Sequence, residues 1–450
     1  MNILVNIKKL VKEDDRTKRI ALTAITSAIS RVLAILVPLI VVRISLQRLG
    51  SETYGLWMAV TSFFSLFAFA DLGLGSGLQT KLSRLYGAED SRETQMLISC
   101  ASIVLSIVAI LLFLVFFLLL PNIDWALLMN AESEQTVAVV GTVVLAVVLS
   151  KIANVPLGLV QRVQFALQEG YISNLWSCAS SVLSLVVIYI IARLEIAPIW
   201  IIWGSSFVPI LVAAINQLVY FHYEHPEFKP KRHMLRKTET YEILKIGIAF
   251  MTLSILTTLG LSMDSYIIAQ TCGLESVTSY SIGYRIATVM SVASTMLSTP
   301  LWAANGDALA KHDYSWVRKT TRKMSQLCLL ITLSGSIVFL IFGNWLIRLW
   351  LGAEVEIPLL LMCGLLFMQI VQAFISPYFM VLNGAGIVKK QIVLFAVYTS
   401  ISLYIKYFMS IQYGASVIPW IGAILYLVII AMPTYILAKN TYEIVKHNKE

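Results

Sequence analysis

The sequence predicts an all-α integral membrane protein, with twelve transmembrane helices in two parallel six-helix bundles around a central cavity. Apolar residues make up 58% of the 450 residues and charged residues only 13%, about half the charged share of a soluble domain. Long apolar runs recur from Ile20 to Leu437. These runs form helices, because the backbone in lipid must satisfy its hydrogen bonds within each segment. The composition excludes a soluble enzyme, a disordered scaffold and a nucleic-acid-binding protein.

Twelve apolar segments have the length of about 20 residues that a helix needs to cross about 30 Å of hydrocarbon. In chain order they are 20–44, 54–79, 95–120, 136–160, 171–193, 198–221, 243–270, 276–304, 324–350, 357–383, 391–412 and 415–438. The first segment is too long for a signal peptide, and no small-residue cleavage site follows it. We therefore expect twelve spans.

Lys and Arg residues lie mostly on one side of this arrangement. If the N-terminus is cytoplasmic, 25 of the 34 Lys and Arg residues fall in inner segments and four in outer segments. Cytoplasmic loops carry such an excess, so both termini are predicted to be cytoplasmic. The net charge of +9 therefore reflects membrane topology rather than a nucleic-acid-binding surface.

The longest inner loop separates the two predicted bundles. The chain divides into a basic amphipathic leader, an N-terminal bundle, a cytoplasmic linker, a C-terminal bundle and a cytoplasmic tail. Their ranges are 1–19, 20–221, 222–242, 243–438 and 439–450. The leader has its apolar residues on one helical face, as an interfacial helix has; a solvated helix is the alternative.

A weak internal repeat supports two related halves. An offset of 223 residues aligns four residues of the first half with four identical residues of the second. These are Gly50, Glu52, Leu78 and Asp90 with Gly273, Glu275, Leu301 and Asp313. An even number of spans in each half makes the repeats parallel, related by an axis along the membrane normal, as in many transporters.

Six charged residues lie at membrane depth, where a charge is costly and marks a pathway or a paired site. They are Arg31, Asp71, Lys151, Asp264, Arg285 and Lys406. Four of the six are cationic, which favours an anionic cargo over a cationic one.

Arg31 and Lys151 lie near the middle of their spans, and Arg31 is too deep to reach either surface easily. Lys151 begins a polar stripe that continues with Asn154, Gly158 and Gln161 on one helix face. We expect Arg31, Lys151 and Asn154 to line a cationic cavity. Helix–helix hydrogen bonds and ion pairs, such as Arg31 with Asp71, are the alternative.

Arg285 begins a similar stripe with Thr288 and Thr295, and it is the fourth residue expected to line the cationic cavity. Packing between helices is an equal alternative. Lys406 lies nearer the outer rim, where its long side chain can reach the interface, so snorkelling explains it.

Asp264 and Asp71 are the candidate residues for ion coupling, with a proton or sodium ion as the coupling ion. Burial among apolar helices disfavours the ionised form of a carboxylate. Pairing is the alternative for both residues: Asp264 with Arg285, and Asp71 with Lys81 or Arg84 near the inner surface.

Other patterns indicate packing and polar surfaces rather than catalysis. Gly73 and Gly77 have the GxxxG spacing that lets two helix backbones approach closely. Gln369, Gln372 and Ser376 form a further polar stripe. The five cysteines contain no CxxC pair, and all five histidines fall in loops, so neither a metal site nor a catalytic site is predicted.

Two motifs carry a family resemblance. Residues 48–57 read RLGSETYGLW and residues 70–77 read ADLGLGSG. They resemble the LGxxxYGxW and DLGLG patterns of the O-antigen and polysaccharide flippase family, which shares a superfamily with multidrug and toxin extrusion transporters and murein-precursor flippases. Residues 264–269 (DSYIIA) and 273–280 (GLESVTSY) look like the counterpart segments of the second half.

The resemblance implies a flippase of the bacterial inner (cytoplasmic) membrane. Such a protein translocates a polyprenyl-diphosphate-linked oligosaccharide, a repeat unit of O-antigen, capsule or exopolysaccharide, by alternating access. Its implied partners are the lipid-linked oligosaccharide, membrane lipids and other membrane proteins of polysaccharide assembly, with no cofactor. The cationic interior of the family corresponds by position to Arg31, Lys151 and Arg285.

Two other functions stay open. One is an ion-coupled multidrug exporter of the same fold, against which the excess of deep cations argues. The other is an integral-membrane sugar polymerase or glycosyltransferase. The longest outer loop, 121–135, is too short to hold a catalytic domain, so we do not expect an enzyme.

Overall fold

The computed structural model describes residues 16–65, 70–85, 91–298, 301–351 and 357–447. Within these ranges every regular element is helical. The α-helices are α1 Arg16–Phe63, α2 Leu74–Leu85, α3 Ser91–Leu119, α4 Trp125–Leu128, α5 Glu134–Leu157, α6 Leu159–Ala166, α7 Gly170–Arg193, α8 Ile199–Val219, α9 Lys237–Ser262, α10 Asp264–Cys272, α11 Leu274–Ser298, α12 Leu301–Ala310, α13 Tyr314–Leu351, α14 Leu359–Gly384, α15 Val388–Tyr413, α16 Ile418–Leu425 and α17 Met432–His447. Most of the predicted leader (1–15) and Asp90 lie outside the described residues.

Ten helical segments of the described residues are long and apolar enough to cross a membrane. The prediction of an all-helical membrane protein is confirmed. The predicted span 54–79 has no separate counterpart among the ten: its start continues α1 beyond Gly50, and its end follows a turn as α2. The predicted span 276–304 corresponds to α11, whose 25 residues suffice in length but are too polar in composition. Twelve spans around a central cavity stay a prediction.

The chain forms two compact units that are not contiguous in sequence. Unit 1 takes in the described residues of Met1–Leu49, Phe67–Asp124 and Gly141–Met251. Unit 2 takes in those of Gly50–Leu66, Trp125–Val140 and Thr252–Glu450. The predicted bundle boundaries, 20–221 and 243–438, stay a prediction.

Unit 1 contains a close approach of two backbones. A Cβ atom on Gly73 would lie 2.3 Å from the carbonyl oxygen of Gly247 in α9, and one on Gly77 would lie 2.3 Å from that of Ile243. Gly73 also has a positive φ of 70°, which favours glycine. The GxxxG prediction of close helix approach is therefore confirmed for α9 and the start of α2.

The predicted linker is bound along α3 in unit 1. The Gln95 side chain donates to the Lys229 carbonyl at 2.9 Å, and the Lys231 amide donates to Ser99 Oγ at 3.0 Å. The Arg236 amide donates to Cys100 Sγ at 3.3 Å. These bonds satisfy backbone groups of an irregular segment, so the segment 229–236 is an ordered part of unit 1.

Unit 2 has a core around α14. Val371, Ile375 and Val381 of this helix are buried with Tyr398 of α15 and Ile430. Their burial fixes α14 against its neighbours, and the polar side chains on the other faces of α14 and α11 line the unit's cavities.

The internal repeat is visible in the backbone of unit 2. Gly50 has φ 76° and ψ 170°, and Gly273 has φ 83° and ψ 165°, a region that only glycine adopts readily. A Cβ atom on Gly55 would lie 1.9 Å from the Leu274 carbonyl oxygen, and Thr278 Oγ1 donates to the Ser51 carbonyl at 2.6 Å. The offset of 223 residues exchanges these two contacts, so they are related by two-fold pseudosymmetry.

Candidate functional site

A cavity of about 320 Å³ lies within unit 1, where α5 passes into α6. The predicted stripe of Lys151, Asn154, Gly158 and Gln161 forms one wall of this cavity. The stripe stays on one side because its spacing follows the helical period. We call this space the Lys151 cavity. Asn154 and Gln161 are exposed to it, and Lys151 is half-buried.

The Lys151 cavity is also lined by charged residues that the sequence did not predict there. Arg162, which follows the predicted span 136–160, is exposed and lines the same wall next to Gln161. Asp71 also lines this cavity: a Cβ atom on Gly75 would be 2.9 Å from Asp71 Oδ2 and 3.3 Å from Arg162 Nε. Lys151, Arg162 and Asp71 therefore line one cavity. Gly75 leaves room beside Asp71 and Arg162 that a larger side chain would fill.

Asp71 has a structural contact in addition to its place in the cavity. Its Oδ1 accepts a hydrogen bond from the Gly73 amide at 2.9 Å, an Asx turn that begins α2. Lys81, one of its predicted partners, instead pairs with Glu239 at 2.9 Å and with Glu242. The side chain of Arg84, the other, lies outside the described residues. One carboxylate oxygen of Asp71 is thus engaged by the backbone.

A second cavity, of about 350 Å³, lies within unit 2 and is lined by both Asp264 and Arg285. Tyr280 and Tyr284 of α11 and Ser62 and Met58 of α1 complete its polar and apolar walls. We call it the Asp264 cavity.

The partner of Asp264 is Lys406, and this corrects two sequence-based interpretations. Lys406 Nζ lies 2.6 Å from Asp264 Oδ1 and 3.3 Å from the Gly260 carbonyl oxygen. Lys406 is 1% exposed, so the snorkelling interpretation is wrong. Arg285, the predicted partner, instead approaches Met58 Sδ at 3.4 Å. The reason is that α15 packs against α10 and brings Lys406 onto the carboxylate.

Both oxygens of Asp264 are occupied, because the Tyr280 hydroxyl donates to Oδ2 at 2.8 Å. A buried charge pair is costly to break, since removing one partner leaves the other uncompensated. A coupling ion that reached Asp264 would have to compete with an ammonium group and a phenol. Ion coupling through Asp264 or Asp71 stays a prediction.

The four predicted headgroup-binding residues do not meet in one described cavity. Lys151 and Asn154 line the Lys151 cavity, and Arg285 lines the Asp264 cavity. Arg31 lies half-buried on α1 and lines neither. Arg162 is the residue that sequence reasoning missed, although it directly continues the stripe beyond Gln161.

Comparison with known proteins places the chain in a family. The family described as polysaccharide biosynthesis protein matches residues 18–302. The chain belongs to the polysaccharide biosynthesis protein family. The matched part of this family member contains Asp71, Lys151, Asp264 and Arg285, whereas Lys406 lies beyond it. The sequence-based resemblance is confirmed.

Named relatives and solved structures agree with this membership. The chain is 23% identical over 366 residues to a putative O-antigen export protein of Yersinia pseudotuberculosis, covering 80% of this chain and 82% of that protein. It is 22% identical over 339 residues to a putative O-antigen transporter of Salmonella typhi, covering 73% of each.

The fold of this family member is that of the MOP superfamily of transporters. A multidrug resistance MATE family transporter in its inward-facing conformation superposes with a TM-score of 0.78 at 15% identity, covering 92% of this chain and 96% of that one. A MOP superfamily transporter from Pyrococcus furiosus superposes with a TM-score of 0.71 at 17% identity, covering 96% and 97%. The chain is thus a multi-pass membrane protein with a transporter fold.

Proposed function

We propose that this protein is a flippase of the bacterial inner membrane that translocates a polyprenyl-diphosphate-linked oligosaccharide by alternating access. The glycan is a repeat unit of O-antigen, capsule or exopolysaccharide. The observation that carries the proposal is the Lys151 cavity, in which Lys151 and Arg162 stand beside the carboxamides of Asn154 and Gln161. Family membership and the names of the two relatives support it.

The chemistry of the Lys151 cavity suits a sugar diphosphate. Each polar group carried unpaired into hydrocarbon costs several kcal/mol, so a flippase must replace the water around the headgroup. Arg162 offers a planar fork for two phosphate oxygens, and Lys151 offers a compact charge. Asn154 and Gln161 can each donate to and accept from sugar hydroxyls. The polyprenyl tail stays in the bilayer throughout.

The topology fits the direction of transport. Arg162 and Asp71 belong to the ends of their spans that the Lys and Arg distribution assigns to the cytoplasmic side. We propose that the Lys151 cavity receives the headgroup there, with both termini cytoplasmic. Arg285 and Arg31 are further cations that we assign to the path of the diphosphate.

Two driving forces for net transport in one direction are compatible with this mechanism. A proton or sodium ion could act through Asp264 or Asp71, or removal of the product by polymerisation could make transport one-way. Transport in reconstituted vesicles, with and without imposed gradients, separates them. Gradient stimulation that is lost in Asp264→Asn while basal exchange persists supports coupling; unchanged stimulation in this variant assigns Asp264 to the ion pair with Lys406 alone.

Deletion of the gene and complementation test the function itself. The deletion strain should accumulate a lipid-linked oligosaccharide on the cytoplasmic leaflet, and the wild-type gene should clear it. Lys151→Ala and Arg162→Ala should fail to clear it at normal protein levels. Arg193→Ala is the matched control, because Arg193 is exposed and donates to Tyr189 of its own helix. A deletion strain without the accumulated lipid contradicts the proposal.

A multidrug exporter is the second candidate, favoured by the structural likeness to a multidrug resistance transporter. The Asp264–Lys406 pair argues against it, because a cationic drug needs a carboxylate that is not already neutralised. Increased susceptibility of the deletion strain to several unrelated cationic drugs, with no accumulated glycolipid, would favour this second function.

A further inference from the structure

A third cavity, of about 340 Å³, lies within unit 2 between α9, α11, α14 and α15. None of the described residues that line it is an Asp, Glu, Lys, Arg or His. The wall consists instead of hydroxyls, carboxamides and aromatic rings. We call it the neutral cavity.

Some polar groups of the neutral cavity form no hydrogen bond with any described residue. Gln391 Nε2 donates to Asn383 Oδ1 at 2.9 Å and to the Ile387 carbonyl at 3.0 Å, which fixes the orientation of both amides. The amide nitrogen of Asn383 and the whole carboxamide of Gln372 have no hydrogen-bond partner among the described residues. Gln372 lies inside the predicted span 357–383 and Asn383 is its last residue; an unmet polar group within a span is costly.

Aromatic rings supply the other part of the wall. Phe379 and Phe395 lie with ring centroids 6.1 Å apart at an interplanar angle of 32°, and Tyr426 meets Phe395 edge-on at 6.4 Å. Flat ring faces beside carboxamides match a sugar ring, which presents C–H groups on its faces and hydroxyls at its edge. Pockets that combine apolar rings with a few placed polar groups are typical of small-molecule sites.

The absence of charge among the described lining residues restricts the class of ligand that this cavity can bind. A diphosphate placed here would lose its hydration with no cation to compensate it, and a cationic drug would find no carboxylate. A neutral, hydroxyl-rich ligand has the smallest desolvation cost, because carboxamides can both donate hydrogen bonds to its hydroxyls and accept hydrogen bonds from them.

We propose that the neutral cavity binds uncharged sugar residues of the transported glycan. The inference rests on the proposed flippase function, and it assigns sugar residues to the neutral cavity on the chemistry of its lining. Gln372 and Asn383 are the specificity-determining residues, because their amides remain open to hydroxyl groups.

Binding to the purified protein in lipid nanodiscs tests the proposal. The probes are a panel of neutral oligosaccharides built from hexoses, N-acetylhexosamines and deoxyhexoses, and inorganic pyrophosphate. We expect at least one oligosaccharide to bind saturably. Gln372→Met and Asn383→Leu, which keep size and remove hydrogen bonding, should each weaken that binding about tenfold, the effect of roughly one lost hydrogen bond. Pyrophosphate binding should not change.

Gln412→Met is the matched control, since Gln412 is exposed on α15 and lies outside the cavity lining. Its oligosaccharide affinity should equal that of the wild type. If no oligosaccharide of the panel binds the wild type, or if Gln372→Met and Asn383→Leu both bind it normally, the inference is overturned.

Complementation separates this inference from the function on which it rests. Normal clearance of the lipid-linked oligosaccharide by Gln372→Met and Asn383→Leu overturns the sugar assignment and leaves the flippase function standing. Saturable oligosaccharide binding that both variants weaken, in a protein whose deletion accumulates no glycolipid, supports a sugar site and contradicts the flippase function instead.

Discussion

The two units place their deep lysines in opposite surroundings. In unit 1, Lys151 and Arg162 face a cavity, and Lys151 has no ion-pair partner among the described residues. In unit 2, Lys406 is buried against Asp264, and Tyr280 occupies the other carboxylate oxygen. A charge that the protein already satisfies contributes to the fold, whereas a charge left facing a cavity is available to a ligand. Position in the membrane alone does not distinguish the two cases.

The strongest test of this comparison is to remove one partner of the unit 2 pair. Lys406→Met should lower the free energy of unfolding by about 3–5 kcal/mol, because it leaves Asp264 buried and unpaired. Thermal stability of the detergent-solubilised protein measures this loss. The double variant Lys406→Met/Asp264→Asn should recover most of it, since no unpaired charge then remains.

Lys151→Met provides the matched control in unit 1. It removes a lysine that has no ion-pair partner among the described residues, so stability should change by no more than about 0.5 kcal/mol. A loss as large as that of Lys406→Met would show that Lys151 is also paired, and the contrast between the units would fail.

The second prediction concerns transport. Lys151→Ala and Arg162→Ala should each reduce translocation of the lipid-linked oligosaccharide about 10- to 100-fold, the effect of one lost hydrogen bond to a charged group. Lys151→Arg should retain part of the activity because the positive field persists. Arg31→Ala, at a position outside the Lys151 and Asp264 cavities, should have a smaller effect. Equal losses in Arg31→Ala and Lys151→Ala would assign the binding site to a larger cationic region.

The sequence predicts contacts between residues that are close along the chain or related by the internal repeat, but not contacts between distant residues. The stripe from Lys151 to Gln161 follows from helical spacing alone, and the structure places it on one wall. Gly50 and Gly273 were paired by the internal repeat, and they adopt the same backbone conformation. Lys406 and Asp264 are 142 residues apart. No local pattern reveals that contact, because it depends on which helix packs against α10.

The third prediction compares the close backbone approaches of the two units. A Cβ atom on Gly55 would lie 1.9 Å from the Leu274 carbonyl oxygen in unit 2, and one on Gly77 would lie 2.3 Å from the Ile243 carbonyl oxygen in unit 1. Gly55→Ala and Gly77→Ala should each destabilise the protein by about 1–3 kcal/mol, because backbone must shift. Thermal unfolding measures both.

Gly141→Ala is the control for these glycines. A Cβ atom there meets nothing within 4 Å, and alanine favours the helix by about 1 kcal/mol. It should be neutral or stabilising. A Gly55→Ala protein as stable as the wild type would show that the pseudosymmetric contact with Leu274 is not tightly packed.

The smallest expected effect concerns an ionic cluster of unit 1 that lies outside the membrane spans. His225 Nε2 lies 3.2 Å from Glu169 Oε1, and His225 Nδ1 lies 2.9 Å from Glu227 Oε1. Burial alone would lower the pKa of His225, but the hydrogen bonds and charges of Glu169 and Glu227 outweigh it and raise the pKa above 6.5. Tyr220 also donates to Glu169, at 2.7 Å. The linker segment that carries His225 should therefore be held more firmly when the imidazole is protonated.

Hydrogen exchange of the amides at 222–236 measures this effect. Because the folded pKa is raised, the stabilisation is fully present below about pH 6.5 and is lost as the pH rises through the folded value. At low pH, the amides of this segment should exchange faster in His225→Gln than in the wild type, with a loss of protection free energy of no more than about 1 kcal/mol. At high pH, the two proteins should exchange at the same rate. His222→Gln, at an exposed histidine, should follow the wild-type profile. A His225→Gln difference that grows with pH would mean that the neutral imidazole holds the linker, contrary to the geometry of its two carboxylate partners.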